Sequence, residues 1–468
     1  MYQKQIDAYF ADKEPQMIDL ISRLARIRSV REDPQRGMPF GAGPYLCLEE
    51  ALRIARELGF STQNHEGYVG TVDLNREPTK LHILGHLDVV GEGKGWTVTE
   101  PYTPKLVDGM LYGRGTDDDK GPMVAALLAM KAVQDLNLPL SHNVRLILGT
   151  DEESGSEDIA YYYQKNPYAD YTFSPDADFP LINIEKGSYK PRFVQTWQPS
   201  EVTPRLSSLQ GGFRINVVPP EADAVLIGLT PPELTPYLAK AQQDTGVLFT
   251  AELRPDGKTA IHAAGQGGHA AFPEGANNAL TALLALLAAL PLGNCPSTAG
   301  LRALHILFPH GDTRGEALGI DQQDEVSGPL TLAFTLLAVS ELGFSAQFDS
   351  RVPLCATPEN CQKVTEAAFK AYSISCSGEM GAPHHTPADS PLVQTLLDCY
   401  EEYTGKTGSK PLAIGGGTYV HDIPGGVAFG CTMPGFSSGL HGPDEHACIA
   451  DLLTSAKIFT EAIAALCQ

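Results

Sequence analysis

Acids and histidines gather at five places in this chain. They are His86 and Asp88 in LHILGHLDVVGEGKGW (81–96), Asp117, Asp118 and Asp119 in GRGTDDDKGP (113–122), Asp151, Glu152 and Glu153 in GTDEESGS (149–156), Asp176 and Asp178 in SPDAD (174–178), and His441 in GLHGPDEH (439–446). Taken singly, each has a plain reading. A His-x-Asp pair is more often a core histidine beside an acid, and acids ahead of a helix favour its dipole. Taken together, they make a donor set. Three carboxylates at one strand end repel one another unless cations gather them. Mixed nitrogen and oxygen donors suit Zn²⁺, Mn²⁺ or Co²⁺ better than Ca²⁺, which prefers oxygen alone. Six or more acids exceed one tetrahedral site, whereas two metals roughly 3.5–4 Å apart need a bridging carboxylate. His86 then reads as a ligand and Asp88 as the group that holds its imidazole tautomer. His82, further back on the same strand face, reads as structural, and His446 as a surface residue.

These residues need a scaffold that brings strand ends together. QMIDLISRLARIRSV, LCLEEALRIARELGF and GPMVAALLAMKAVQDL carry apolar residues at helical spacing, while LHILGHLDVV and VRLILGT are apolar on both faces, as buried strands are. YTFSPDADFPLINIE holds one or two more strands. Alternating helices and strands predict an α/β layer with a mostly parallel sheet, and ligands of such sheets bind outside the carboxyl ends of the strands. After about residue 188 the texture changes. FRINVV, ADAVLIGL, TAIHAAG and SAQFDSRVPL read as strands and ENCQKVTEAAFKAY as a helix, an α+β insertion. The α/β texture returns with SPLVQTLLDCYEEYTG, VAFGCTM and ACIADLLTSAKIFTEAIAAL. The expected organisation is therefore a catalytic domain of residues 1–187 and 383–468, interrupted by a lid domain of residues 188–382.

Bulk properties narrow the function classes. With 34 basic and 56 acidic residues the net charge is −22, which repels phosphate backbones and anionic lipid. Nucleic-acid and membrane-surface roles lose weight. The polar N-terminal stretch lacks the apolar core of a signal peptide, and the run ALTALLALLAAL is too short to span a bilayer. Nine scattered cysteines without a C-x-x-C pair suggest neither a disulfide framework nor a zinc ribbon, so a cytoplasmic location is expected.

GHLDVV, YGRGTDDDKGP, TDEESG, SPD and HGPDE, in that order, resemble the co-catalytic metallopeptidase family of aminoacylases, glutamate carboxypeptidases and succinyl-diaminopimelate desuccinylases. The long insertion and GGGTYV resemble its dipeptidase-V-type branch of bacterial cytosolic dipeptidases. The resemblance implies two divalent metal ions (Zn, or Mn or Co), bridged by Asp118, with His86 and Asp176 completing one site and Glu153 and His441 the other. It implies Glu152 as general base and a cis peptide between Asp118 and Asp119. In the lid it implies His269 of GQGGHAAFPEG as a donor to the oxyanion. Arg351 and Asn216, with Gly415, Gly416, Gly417 and Thr418, would hold the substrate carboxylate. Relatives carry GGGTYAR where this chain has GGGTYVHD, which puts His421 in place of an arginine. The implied activity is hydrolysis of dipeptides with a free amino terminus. A lid of this length, duplicated internally, suits a monomer. The competing expectations are an N-acyl amino acid deacylase or carboxypeptidase of the same family, and a non-catalytic homologue that binds metal or peptide.

Overall fold

The computed structural model describes residues 2–468. The chain forms two compact units, one of Met1–Ile184, His384–Leu412 and Gly417–Gln468, the other of Glu185–Pro383 and Ala413–Gly416.

In the first unit the strands Ser61–His65, Val69–Asp73, Asn143–Gly149, Thr79–His86, Tyr171–Ser174 and Val427–Ala428 lie side by side in that order. The first three are antiparallel neighbours and the last four run parallel. Thr79–His86 is buried along its last six residues, as a central strand covered on both faces must be. The helices Glu14–Ala25, Ala42–Glu57, Lys120–Asp135, Pro391–Thr404 and Ile449–Leu466 contribute to one apolar core with the sheet. Lys120–Asp135 is buried along almost its whole length, from Lys120 to Val133. Each buried Leu or Phe there contributes about 1.5–3 kcal/mol. Two glycines fix how close the surrounding elements come. A Cβ on Gly85 would lie 2.2 Å from a carboxylate oxygen of Asp119, and one on Gly149 would lie 2.1 Å from the Tyr419 hydroxyl.

The second unit is built on an antiparallel sheet with the order Leu248–Leu253, Thr259–Ala264, Glu221–Ile227, Arg205–Gly211, Thr331–Ser340, Gly343–Val352 and Gly187–Tyr189. It has its own apolar core, to which Ala279–Ala289 contributes most of its length. That helix is the apolar run ALTALLALLAAL, started by Asn278, whose side chain accepts the N–H groups of Leu280 and Thr281. Among the described residues no helix is long and apolar enough to cross a membrane.

Two expected strands break up. FRINVV contributes only Val217–Val218, and VAFGCTM splits into Val427–Ala428 and Cys431–Thr432. The split follows from partners: Val427–Ala428 joins the central sheet, while Cys431–Thr432 pairs with Ala177–Asp178 in a separate ladder.

Candidate metal centre

In the first unit, five of the expected ligands converge. One group is His86, Asp118 and Asp176, and the other is Asp118, Glu153 and His441; within each group the potential ligand atoms all lie within 4.8 Å of one another. Asp118 belongs to both. Its Oδ1 lies 2.9 Å from His86 Nε2 and its Oδ2 lies 2.9 Å from His441 Nε2. His86 Nε2 is also 3.6 Å from Asp176 Oδ2, and His441 Nε2 is 3.3 Å from Glu153 Oε2. One carboxylate therefore turns its two oxygens to two separate triads, as a bridging ligand does. The Asp118–Asp119 peptide is cis.

The electrostatics fit cations. Burial pushes the carboxyls of Glu153 and Asp176 up, and that of Glu152 well above its ordinary range. Burial also opposes ionisation of Asp118, but hydrogen bonds from His441 and His86 hold its carboxyl far below the usual value. His86 responds in kind: burial would lower it, and Asp118, Asp176 and Asp88 raise it well above. Bonds to the carboxylates of Asp118 and Glu153 lift His441 to about 10. His86 Nε2 lies 2.9 Å from Asp118 Oδ1 but out of line for a good hydrogen bond, and the buried Oε1 of Glu153 has no partner. Buried polar atoms left in this way are the donor set a divalent ion completes.

Of each run of three acids, the structure directs different members differently. Asp151 turns away: its Oδ1 accepts from Arg31 at 2.5 Å and its Oδ2 from the Glu157 amide. Asp119 accepts the N–H of His86 at 3.0 Å, and the bonding partner of Asp117 is Ser438. Glu152 and Glu153 sit on the single turn Glu152–Ser154. Asp88 corrects the expectation in part. His86 Nδ1 bonds the main-chain oxygen of Asp88 at 3.0 Å, with the carboxylate Oδ1 at 3.5 Å. The carboxylate instead accepts the amides of Glu152 and Glu153, both at 3.1 Å. His82 is buried and bonds the Tyr163 hydroxyl. His446 differs from its surface reading: it is half-buried in the strand His446–Cys448 and stacks on Tyr112 at 4.7 Å.

Sequence reasoning missed the residues behind the ligands. Asp158, buried, accepts the amides of Thr150 and Asp151 and the hydroxyl of Tyr419, whose ring stands edge-on to His86 at 6.2 Å. Arg114 and Glu445 form a buried ion pair of 2.6 Å. Both stood inside recognised motifs, GRGTDDDKGP and HGPDEH, without a role.

The remaining candidates divide between the units. In the second, His269 pairs with Val217 across a two-residue ladder, and Asn216 accepts the Ala270 amide through its main-chain oxygen. His269 Nδ1 accepts the amide of Ala271 at 3.2 Å. Arg351 donates to both oxygens of Asp349, at 2.8 and 3.0 Å, and to the Gly415 carbonyl at 2.5 Å; Gly416 follows in the same segment. Gly417 and Thr418 belong to the first unit, where Thr418 caps the turn Tyr419–Asp422. On that turn the His421 ring lies 6.4 Å from that of His384.

Residues 82–465 match the model of peptidase family M20/M25/M40. The chain is 36% identical over 459 residues to the putative dipeptidase YtjP of Bacillus subtilis (strain 168), covering 96% of this chain and 97% of that one. It is 31% identical over 443 residues to the Beta-Ala-Xaa dipeptidase of Lactobacillus delbrueckii subsp. lactis, covering 92% and 91%. The fold is shared with human carnosine dipeptidase 1, with a TM-score of 0.58 at 16% identity, covering 100% of this chain and 99% of that one. The chain belongs to peptidase family M20/M25/M40.

Proposed function

We propose that this protein is a metal-dependent dipeptidase that hydrolyses dipeptides with a free amino terminus. The observation that carries the reading is Asp118, whose two oxygens face two separate histidine-carboxylate triads. His86 and Asp176 would hold one divalent ion with it, and Glu153 and His441 the other; Zn²⁺, Mn²⁺ and Co²⁺ all suit these donors. When bound, such ions polarise the scissile carbonyl and acidify water.

The chain's own residues do the rest. Glu152 takes a proton from the attacking water at its carboxylate and returns it to the leaving amine nitrogen. Asp88 fixes the turn that carries Glu152 by accepting its amide. His269 receives the Ala271 amide on Nδ1, so the proton of its neutral ring sits on Nε2. That is the tautomer an oxyanion donor needs. Asp349 holds the guanidinium of Arg351 in one plane, ready for a terminal carboxylate alongside Asn216 and Gly416. In this reading residues 1–187 and 383–468 carry the chemistry and residues 188–382 form the lid. The same reading makes the protein a cytoplasmic monomer, in keeping with its nine free cysteines. The name of the Lactobacillus relative makes β-alanyl dipeptides the first substrates to try.

The test is hydrolysis of a dipeptide panel with added Mn²⁺, Zn²⁺ or Co²⁺, beside N-acetyl amino acids and a tripeptide. Dipeptide cleavage that needs the metal and falls about 10²–10⁴-fold in Glu152→Ala is expected. Cleavage of N-acyl substrates alone would move the protein to the deacylases, and metal binding without turnover of any substrate would make it a binding protein.

A further inference from the structure

The charged pair Arg114–Glu445 lies behind the candidate ligands and belongs to neither ligand group. Arg114 is 1% exposed and Glu445 fully buried, and Nη1 donates to Oε2 at 2.6 Å. The other carboxylate oxygen, Oε1, accepts three donors of one loop: the amides of Gly115 at 2.9 Å, Asp117 at 3.2 Å and Asp118 at 3.3 Å. The main-chain oxygen of Glu445 accepts a fourth amide, that of Gly113, at 2.9 Å. Arg114 works on the opposite loop. Its Nη2 donates to the carbonyls of Gly442 at 3.0 Å and His441 at 3.3 Å. It also reaches the carbonyls of Gly91 and Glu92, both at 3.4 Å, in the segment that follows His86 and Asp88. Its guanidinium lies over the Trp96 ring, 5.4 Å from the centroid.

Two features say that this pair sets geometry rather than adding stability. Taking a guanidinium and a carboxylate out of water costs about as much as their attraction returns, so a buried pair is a poor way to stabilise a fold. Moreover, the group that Arg114 grips is a strained one. His441 has φ of +59°, in the left-handed region that a non-glycine residue enters at a cost of about 1–2 kcal/mol, and its carbonyl is held by Nη2. Glu445 turns one oxygen to three amides and the other to the guanidinium, so both ends of its carboxyl group are committed to the two loops.

We infer that Arg114 and Glu445 are positioning residues which clamp the Asp118 loop to the His441 loop and set the spacing of the metal site formed by Asp118, Glu153 and His441. The inference rests on the proposed dinuclear reading and extends it to two residues that touch no ion. The clamp is asymmetric: Arg114 donates to the His441 loop at 3.0 and 3.3 Å, reaches the segment after His86 only at 3.4 Å, and makes no contact with the bend that carries Asp176.

Titration of the metal-free full-length protein with Co²⁺ alone, followed by calorimetry and visible absorption, tests this. Wild type should take up two equivalents. In Arg114→Lys, which keeps the charge but loses the fork, one equivalent should weaken about ten- to hundredfold, the range for partners behind a ligand, while the other is retained. Arg145→Lys serves as the control for instability alone, because Arg145 pairs with Asp73 in the same unit and touches none of the ligands. It should keep both affinities. Should Arg114→Lys fail to fold, the near-isosteric Glu445→Gln carries the same expectation of a weakened equivalent. A folded Arg114→Lys that binds both ions like wild type, or an equal loss in Arg145→Lys, overturns the inference. Wild type that takes up no Co²⁺ overturns the dinuclear reading itself, and the clamp with it.

Discussion

Replacing Asp88 by asparagine separates two roles for one carboxylate. The main-chain oxygen of Asp88 already receives the His86 Nδ1 hydrogen bond at 3.0 Å, and a side-chain substitution leaves that contact in place. What the substitution removes is one of two anionic acceptors, Oδ1 for the Glu152 amide and Oδ2 for the Glu153 amide, each at 3.1 Å. Asparagine keeps one oxygen and turns an NH₂ group toward the other amide, so two donors face each other in a site where Asp88 is 1% exposed. A hydrogen bond to a charged group is worth about 1.5–3 kcal/mol. If the turn Glu152–Ser154 is displaced to that extent, kcat falls about ten- to hundredfold, since roughly 1.4 kcal/mol is a factor of ten. The assay is steady-state hydrolysis of a β-alanyl dipeptide at saturating Mn²⁺ or Co²⁺, with Co²⁺ uptake measured on the same samples. The expected result is a loss in kcat with KM held within about twofold and both metal equivalents present. A kcat within threefold of wild type would refute the argument. So would loss of the metal equivalent at His86 as the first effect, because that would return Asp88 to holding the imidazole through the 3.5 Å carboxylate contact.

Three further outcomes follow from the same structure. Arg351→Lys should lower kcat/KM about ten- to hundredfold for dipeptides and much less for their C-terminal amides, because lysine cannot fill the fork held by Asp349; equal losses on both substrates would remove the carboxylate role. His82 is 3% exposed and is lowered to about 4 by burial, with Arg145 adding to the effect and Asp73 opposing it; its ring bonds Tyr163. The unfolded chain then binds the proton more readily, so stability rises with pH; it is complete above about 6.5 and is lost, by up to about 3 kcal/mol, as pH falls toward 4. The thermal midpoint of His82→Phe should accordingly fall less between pH 7 and 4.5 than that of wild type, and parallel curves would refute the assignment. Chelation should lower the midpoint, and readdition of Co²⁺ at about a thousand times its dissociation constant should restore about 4 kcal/mol per site; an unchanged midpoint would argue against the centre.

What could be read from the sequence was set by how local the signal is. The helices Lys120–Asp135 and Ile449–Leu466 announce themselves, because their apolar residues are buried whatever their partners are. Val427–Ala428 and Cys431–Thr432 do not, because the division of VAFGCTM depends on which ladder each half meets. The ligand candidates were legible for the same reason as the helices: carboxylates piled at strand ends are costly unless a cation gathers them. Which acid of three takes which task was not legible from spacing. Asp151 turns to Arg31, and Arg31 lies 120 residues away in the chain. The resemblance alone singled out Asp118 among its neighbours. The pair Arg114–Glu445 joins motifs 331 residues apart, and no pattern in either motif refers to the other.

A second set of acids lies behind the candidate ligands. Asp88, Asp158 and Glu445 are buried carboxylates that each accept two or three main-chain amides from the loops carrying the candidate ligands. Those loops are irregular, so their amides have no ladder to join, and a buried amide without a partner costs about 1–3 kcal/mol. A carboxyl group behind each loop answers that cost and fixes the direction of its amides. The spacing of the candidate centre therefore depends on Asp88, Asp158 and Glu445 as well as on the residues that would touch a metal.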